Sequence, residues 1–328
     1  VTSVVLLDVG HGNCAIVRSG DATAVVDCPT GSILLDTLID LGVEVVEVAI
    51  ISHADKDHIA GILSLLSSTR IRVGKVYVNP DSQKRTKVWR DFRVAVADAE
   101  RTGDFEVILA LSTVFPGVLT IGDATLRVLS PSSRLAATAV GGETLSGKTV
   151  TSNTLSGVLR VDAGDKPGVL LAGDMDDISL DDALDMGQDL SAEVLVFPHH
   201  GGLPGGTDPD HFADRLLSSV NPTTVIFSNG RNRHDNPKPQ MVKAAAGRGC
   251  TVGCSELSAR CHATPISSNE HLEPLRALGR ASGSSCAGSM TFVIGDPIRR
   301  LPEMAERHAR FVADHVSTPM CRHEQPRI

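Results

Sequence analysis

Short runs of Val, Ile, Leu and Ala alternate with helical stretches twice along this chain, and each series opens on strands separated by glycine-bearing turns. That order does not suit one all-parallel sheet. It fits an α/β (α+β) chain built as two packed sheets with helices outside them. Val4 to Asp8, Cys14 to Val17 and Ala22 to Asp27 read as an antiparallel meander. A helix is predicted from about Ser32 to Leu41, then a continuous apolar strand from Val45 to Ile51 and a helix over Ile59 to Leu66. Further elements are predicted near Ile71 to Val78, Thr86 to Arg101, Val107 to Leu111 and Thr125 to Leu129. Residues 132 to 152 are rich in Ser, Thr, Gly and Ala without a period and read as a mobile loop. The second series has a hairpin (Leu155 to Val161, Gly168 to Ala172), helices near Leu180 to Met186 and Pro209 to Ser218, and strands Glu193 to Phe197 and Thr223 to Phe227. From Pro297 onward the pattern is a polar amphipathic helix and tail carrying Arg299, Arg300, Arg307, His308 and Arg310. It reads as a solvated helix covering an edge, with a partner-binding arm as the alternative.

Composition narrows the function classes. Aromatic residues make up only 3% of the 328, which argues against a broad stacking platform for bases, and the net charge of -8 argues against a uniformly basic nucleic-acid coat. An acidic pocket filled by cations remains compatible with that charge. No apolar run approaches the ~20 residues of a spanning helix and no signal peptide opens the chain, so a soluble, cytoplasmic protein without membrane association is expected. Val1 stands where Met would begin a nascent chain, the pattern of a processed or trimmed product. Seven scattered cysteines suit reduced thiols better than a closed disulfide framework.

The most informative stretch is His53-Ala-Asp55-Lys-Asp57-His58, between an apolar strand and a helix. Alternate residues at a strand end project the same way, so His53 and Asp55 can share one cation while Asp57 and His58 face a second. Two cations ~3.5–4 Å apart polarise a substrate oxygen and generate hydroxide near neutral pH. Further candidate ligands stand where other apolar strands give way to turns: Asp174, His199, His200, Asn153 and His234.

Asp8-Val-Gly-His-Gly-Asn13, Ser52 to His58 with Gly61, Asn153-Thr-Leu-Ser156, Gly173-Asp174, Pro198-His-His-Gly201, Ser228-Asn-Gly230 and His234-Asp-Asn-Pro237 follow one another in a recognisable order. With these residues the chain resembles the metallo-β-lactamase superfamily, and within it the hydrolase domain of ComEC-type competence proteins. The resemblance implies a four-layer αββα sandwich over residues 1–296, followed by a C-terminal helix and tail over 297–328. It implies His53 and Asp55 for a first metal, Asp57 and His58 for a second, Asp174 bridging, and His199 or His200 as a further ligand. Asp27 matches the family's supporting carboxylate, a role extended to Asp8, and His234 matches a histidine expected at the substrate or leaving group. His11 and Asn13 stand where competence-type proteins carry Gln and Asp, and are expected to touch substrate. Asp55 and Asn153 replace histidines usual in the superfamily, which shifts preference from zinc towards manganese or magnesium. The membrane segments of competence channels are absent, so a free-standing relative is expected.

Three other signals compete for a role. Lys84, Arg85, Lys87, Arg90 and Arg93 surround the only tryptophan, Trp89; such a helix could clamp a phosphate backbone and stack a base, or simply be solvated with Trp89 packed inward. Gly142 to Thr149 spells a phosphate-loop pattern but lacks the strand before it and helix after it, and reads as a flexible loop that could gate the site or be cut by a protease. Cys250, Cys254, Cys261, His262 and Cys286 offer ligands for a structural zinc, or are buried free thiols. The sequence therefore points to a hydrolase with two divalent cations, manganese or zinc with magnesium as a third option, cleaving DNA or RNA. The alternatives are a small-molecule hydrolase acting on a lactone, thioester or phosphoester, and a metal-stabilised binding module or latent enzyme awaiting processing or a protein partner.

Overall fold

Strands buried on both faces build most of both sheets of the computed structural model, which describes residues 1–81, 84–101, 105–164, 166–295 and 297–322. The first series runs β1 (Thr2–Leu6), β2 (Ala15–Ser19), β3 (Ala22–Val26), α1 (Ile33–Asp40), β4 (Val45–Ile51), α2 (Lys56–Leu66), β5 (Arg72–Val78), α3 (Lys87–Glu100) and β6 (Glu106–Ile108). The second runs β7 (Val118–Ile121), β8 (Ala124–Ser130), α4 (Ser133–Thr138), β9 (Val158–Ala163), β10 (Lys166–Leu171), α5 (Asp177–Asp185), β11 (Val194–Val196), α6 (Pro209–Val220), β12 (Thr224–Phe227), α7 (Pro239–Gly247) and β13 (Thr251–Cys254). β14 (Met290–Ile294), β15 (Arg299–Arg300) and α8 (Pro302–His315) follow.

The strands form two sheets, ordered β15-β14-β1-β2-β3-β4-β5-β6 and β13-β12-β11-β10-β9-β8-β7. Each is antiparallel through its meander and parallel after it, the change falling at β3 in one and β10 in the other. Because side chains alternate faces along a strand, Val4 and Leu6 enter the layer between the sheets while Val5 and Leu7 enter the layer under the helices. Helices α1 to α3 bury Leu34, Ile59, Ile62, Trp89 and Phe92 on the first sheet, and α5 to α7 bury Leu180, Phe212, Leu216 and Met241 on the second. The result is a four-layer αββα sandwich. Among the described residues no helix is long and apolar enough to cross a membrane.

Some local expectations need correction. Helix α2 begins at Lys56, because Asp55 holds the extended backbone that precedes a first turn, so Asp57 and His58 lie inside the helix and not before it. The segment 132–152 is structured. Ser132 caps α4 by accepting the Leu135 N–H at 3.1 Å, Leu135 packs on Val150 and Leu155, and Glu143 bridges Thr149. This local cap and small apolar contact outweigh a composition that reads as loop. Met304, His308, Phe311 and Val312, spaced three to four apart, are the buried side of α8. The helix closes the end of the sandwich next to β13 and β14, as a covering helix should. The final tail residues, 323–328, lie outside the described residues.

Strands β3, β4 and β5 run in one direction and β10 to β13 do likewise in the other sheet. Open sheets of this kind place functional loops at the carboxyl ends of their parallel strands. His53, Asp174, His199 and His200 follow strands at that edge, whereas Asn153 lies in a helical turn before β9.

Candidate metal centre

Asp27 follows β3, His53 follows β4, Asp174 follows β10, and His199 and His200 follow β11. Two glycines make the convergence possible. A Cβ on Gly61 would stand 2.3 Å from the Pro29 carbonyl oxygen and 2.4 Å from Cys28 Sγ, so only glycine lets α2 close on the loop after β3 and bring His58 onto Asp27. Gly173 has φ +53° and would place a Cβ 2.5 Å from Ser156 Oγ; the tight turn it allows orients Asp174, whose own N–H is bound by that hydroxyl at 2.9 Å.

The tautomers follow from fixed partners. His58 Nδ1 donates to Asp27 Oδ2 at 2.9 Å, and Asp27 is held by the Ser52 N–H at 2.7 Å and the Ser52 hydroxyl at 2.5 Å. His200 Nδ1 donates to the Ser228 carbonyl at 2.9 Å. With both Nδ1–H groups turned outward, the Nε2 atoms face inward as metal-binding imidazoles do. His58 Nε2 lies 3.3 Å from Asp174 Oδ1, and His200 Nε2 lies 3.9 Å from that oxygen and 3.6 Å from Asp57 Oδ2. His11 Nε2 is also 3.6 Å from Asp57 Oδ2. His58, Asp174 and His200 form one group, and His11, Asp57 and His200 another, with ligand atoms within 4.8 Å of one another in each.

These residues fit a divalent cation. His58 Nε2, Asp174 Oδ1 and His200 Nε2 are buried and without a hydrogen-bond partner, a condition that costs about 1–3 kcal/mol per neutral group unless something meets it. A cation meets all three at once, and a set of imidazole and carboxylate donors suits zinc or manganese. Between the adjacent histidines, the geometry selects His200. His199 is partly exposed and sits to one side, its Nδ1 3.4 Å from Asp174 Oδ2 and 3.5 Å from Asn153 Nδ2.

The charges are strongly coupled. Burial opposes ionisation of Asp57 and Asp174, yet the surrounding histidines hold both carboxyls well below the usual range. Burial likewise opposes a charge on His58, but Asp174 and Asp27 raise it above the ordinary imidazole value. His11 goes the other way: burial, then the neighbouring His200, lowers it to about 4, leaving a neutral imidazole beside Asp57. His11, expected at the substrate, therefore stands among the candidate ligands.

His53 and Asp55 join neither group. His53 Nε2 donates to Asp55 Oδ2 at 2.8 Å, and the Lys84 ammonium takes Asp55 Oδ1 at 2.6 Å and reaches Asp81 at 3.3 Å. Together they hold Asp55 down to about 2. Lys84 is thus drawn to the site edge and away from the phosphate clamp expected of it. Trp89 is buried and stacks on Phe92 at 5.4 Å, so base stacking by this residue is corrected to core packing. Arg85, Lys87, Arg90 and Arg93 remain exposed, with Lys87 paired to Asp91. Asp8 is buried away from the ligands, binding the Gly10 and Gly279 N–H groups and the Ser285 hydroxyl, and so pins the loop around residue 280. Asn13 lines a gap of ≈ 20 Å³ with Asp27 and Ser52, room for about one water.

Of the two readings of the cysteines, free thiols fit and a zinc cluster does not: no cysteine belongs to either group that gathers three ligand atoms among the described residues. Cys250 donates to the Pro222 carbonyl and His262 is bound by Ser317, while Cys254, Cys261 and Cys286 pack with Leu257 and Phe311. Sequence reasoning also missed Glu256. It lines a cavity of ≈ 460 Å³ in front of His11 and Asp57, together with Lys56, Arg233 and His234. Burial pushes its carboxyl up to about 7, against the pull of the Arg231 N–H. Its position after β13, at the same sheet edge, was the available signal, but β13 itself has no clear strand pattern.

Inward-facing imidazoles and carboxylates at the strand ends of an αββα sandwich define a metallo-hydrolase class. The chain belongs to the metallo-beta-lactamase superfamily, whose family model matches residues 7–199. Among individual proteins, it is 26% identical over 216 residues to ComE operon protein 3 of Bacillus subtilis (strain 168), a match covering 64% of this chain and 24% of that protein. The chain therefore spans about a quarter of that relative's length. Similar solved folds include the metallo-beta-lactamase fold protein YhfI from Bacillus subtilis (16% identity, TM-score 0.44, 77% of this chain and 96% of that one). Human tRNase Z, short form, is another (13% identity, TM-score 0.41, 71% and 94%).

Proposed function

We propose that this chain is a metal-dependent phosphodiesterase, most concretely a nuclease acting on DNA or RNA with manganese, zinc or magnesium. One observation carries the reading: the ≈ 460 Å³ cavity is lined by Lys56, Arg233 and His234 around an imidazole–carboxylate floor formed by His11 and Asp57. Cationic walls over a metal-binding floor suit a substrate whose reacting centre is an anionic phosphoester. A bound cation would supply Lewis acidity and an acidified water at neutral pH. The protein's own groups do the rest. Asp57 and Asp174 stay ionised and hold the ligand set, Asp27 and the Ser228 carbonyl fix the two imidazoles, and Lys56 and Arg233 orient the phosphate. To His234, whose ring centre lies 4.8 Å from that of His11, we assign protonation of the leaving oxygen. The exposed Arg85, Arg90 and Arg93 on and beside α3 are available to a longer polynucleotide.

The size of the cavity favours a second reading, a small phosphoester, lactone or thioester, since enclosed ligands of that kind occupy about 300–1,000 Å³. The test is hydrolysis of single- and double-stranded DNA and RNA and of bis(p-nitrophenyl) phosphate, with manganese, magnesium or zinc, by the parent and Asp57→Ala. Polynucleotide cleavage lost in the variant is the expected result. Turnover of the small diester without any polynucleotide cleavage would overturn the nuclease reading in favour of the second.

A further inference from the structure

The His53–Asp55 side of the site is closed by bonds of the protein's own, whereas the His58–Asp174–His200 side is not. We infer that the centre holds one tightly bound divalent cation, on the His58, Asp174, His200 and Asp57 side, and that the Lys84 ammonium supplies the positive charge where a second would bind.

Three observations carry this. First, the atoms aimed inward on the open side are buried and have no partner: His58 Nε2, Asp174 Oδ1 and His200 Nε2. A cation there displaces only the 3.3 Å contact between His58 Nε2 and Asp174 Oδ1. Second, the would-be ligands of the other position are already engaged. Asp55 accepts from His53 Nε2 at 2.8 Å with one oxygen and from Lys84 Nζ at 2.6 Å with the other. Because a carboxylate only accepts, His53 Nε2 carries its proton and has no lone pair to offer there. His199 and Asn153, which would complete the set, face each other at 3.5 Å, and the same His199 nitrogen lies 3.4 Å from Asp174 Oδ2. Third, Lys84 is anchored twice, on Asp55 and on the buried Asp81, which is itself held by the Ser152 hydroxyl. The ammonium is therefore a positioned group and not a passing surface contact. A second divalent ion on the His53–Asp55 side would have to expel it, break the His53–Asp55 bond and bear the repulsion of the first cation, while the His11–Asp57–His200 group shares His200 with the first group and so offers no separate ligand set.

This inference rests on cation binding at the histidine edge and not on the phosphodiesterase reading, so failure to cleave any nucleic acid leaves it intact. The experiment is titration of chelator-stripped protein with Mn²⁺, followed by calorimetry, metal analysis after gel filtration, and electron paramagnetic resonance. The parent is expected to bind one equivalent tightly, with the spectrum of an isolated ion. Lys84→Met is expected to bind two, the second giving a spin-coupled spectrum, and Lys84→Arg, which keeps the positive charge, one. Two tight equivalents or a coupled pair in the parent would overturn the inference, as would one equivalent in a folded Lys84→Met protein. Should Lys84→Met fail to fold, the parent's stoichiometry and spectrum still decide the number of cations, and two equivalents in Lys84→Arg would refute the charge role.

Discussion

Two regions of this molecule collect the residue types that bind metals, and they behave in opposite ways. At the carboxyl edge of the sheets, His58 and His200, with their outward N–H groups fixed and their inward nitrogens free, stand with His11 beside Asp57 and Asp174. Near α8, four cysteines (254, 261, 286 and 321) pack among Leu257, Phe311 and Val312, with His308 3.4 Å from Cys286 Sγ and His271 stacked 3.6 Å from Phe311. There burial pushes the thiols up and drives His308 down to about 3 and His271 to about 4. Among the described residues no three of these thiols and imidazoles bring their ligand atoms within 4.8 Å of one another. The difference teaches that ligand-type residues become a site only where carboxylates and oriented hydrogen bonds prepare them. Where apolar neighbours surround them they are core.

The contrast can be broken most directly by removing one residue from each region. Asp174→Ala is expected to abolish both bound metal and turnover, while Cys254→Ser retains full metal content; metal analysis of the two purified variants checks this. A loss of metal in Cys254→Ser would make the second region a site after all. The next largest effect falls on the support of the first region. Asp27→Asn, which keeps shape but weakens the hold on His58, should lower metal affinity or activity by about 10–100-fold, read by titration.

Acid separates the regions in another way. Buried neutral His308 has a folded value of about 3 against the ordinary value of 6.5, so between those limits the unfolded chain binds the extra proton. Its contribution to stability is complete above pH ~6.5 and lost as the pH falls towards 3. His271, at about 4, acts in the same direction. His58 at the metal edge, raised by Asp174 and Asp27, has the opposite sign: in the metal-free protein its contribution is complete below the ordinary imidazole value and lost as the pH rises through its folded value. Thermal melts of metal-free protein from pH 4 to 7 should therefore rise more steeply for the parent than for His308→Leu; equal slopes would refute the assignment. The smallest effect is on the cysteine core itself. Cys286→Ser puts a hydroxyl into an apolar pocket and should cost about 1–3 kcal/mol in denaturant unfolding, with no change in bound metal.

How much of this could be read beforehand varies with the range of the interaction that decides it. Strands β1 to β5 and helices α1 to α3 lie close to their predicted bounds, because period and turn residues are local signals. Short strands such as β7, β13 and β15 carry too few residues to show a period, and the cap that makes α4 a helix depends on contacts with Val150 and Leu155. At the site, the spacing from His53 to His58 and the strand-end positions of Asp174 and His200 were visible as a ligand pattern. Glu256 was not, since nothing near it in sequence resembles a motif.

The sequence by itself determined the order of the elements, the superfamily and the set of residues from which a cation centre is drawn, since each depends on residue types at fixed spacing. Only the tertiary structure decided which lone pairs remain free. His200 rather than His199 turns a buried, unpartnered nitrogen to both Asp57 and Asp174, His11 joins them, and Lys84 closes the His53–Asp55 side. The cysteines of the far end pack as core. These outcomes follow from hydrogen bonds and charges between groups distant in the chain, whose relative placement no local spacing contains.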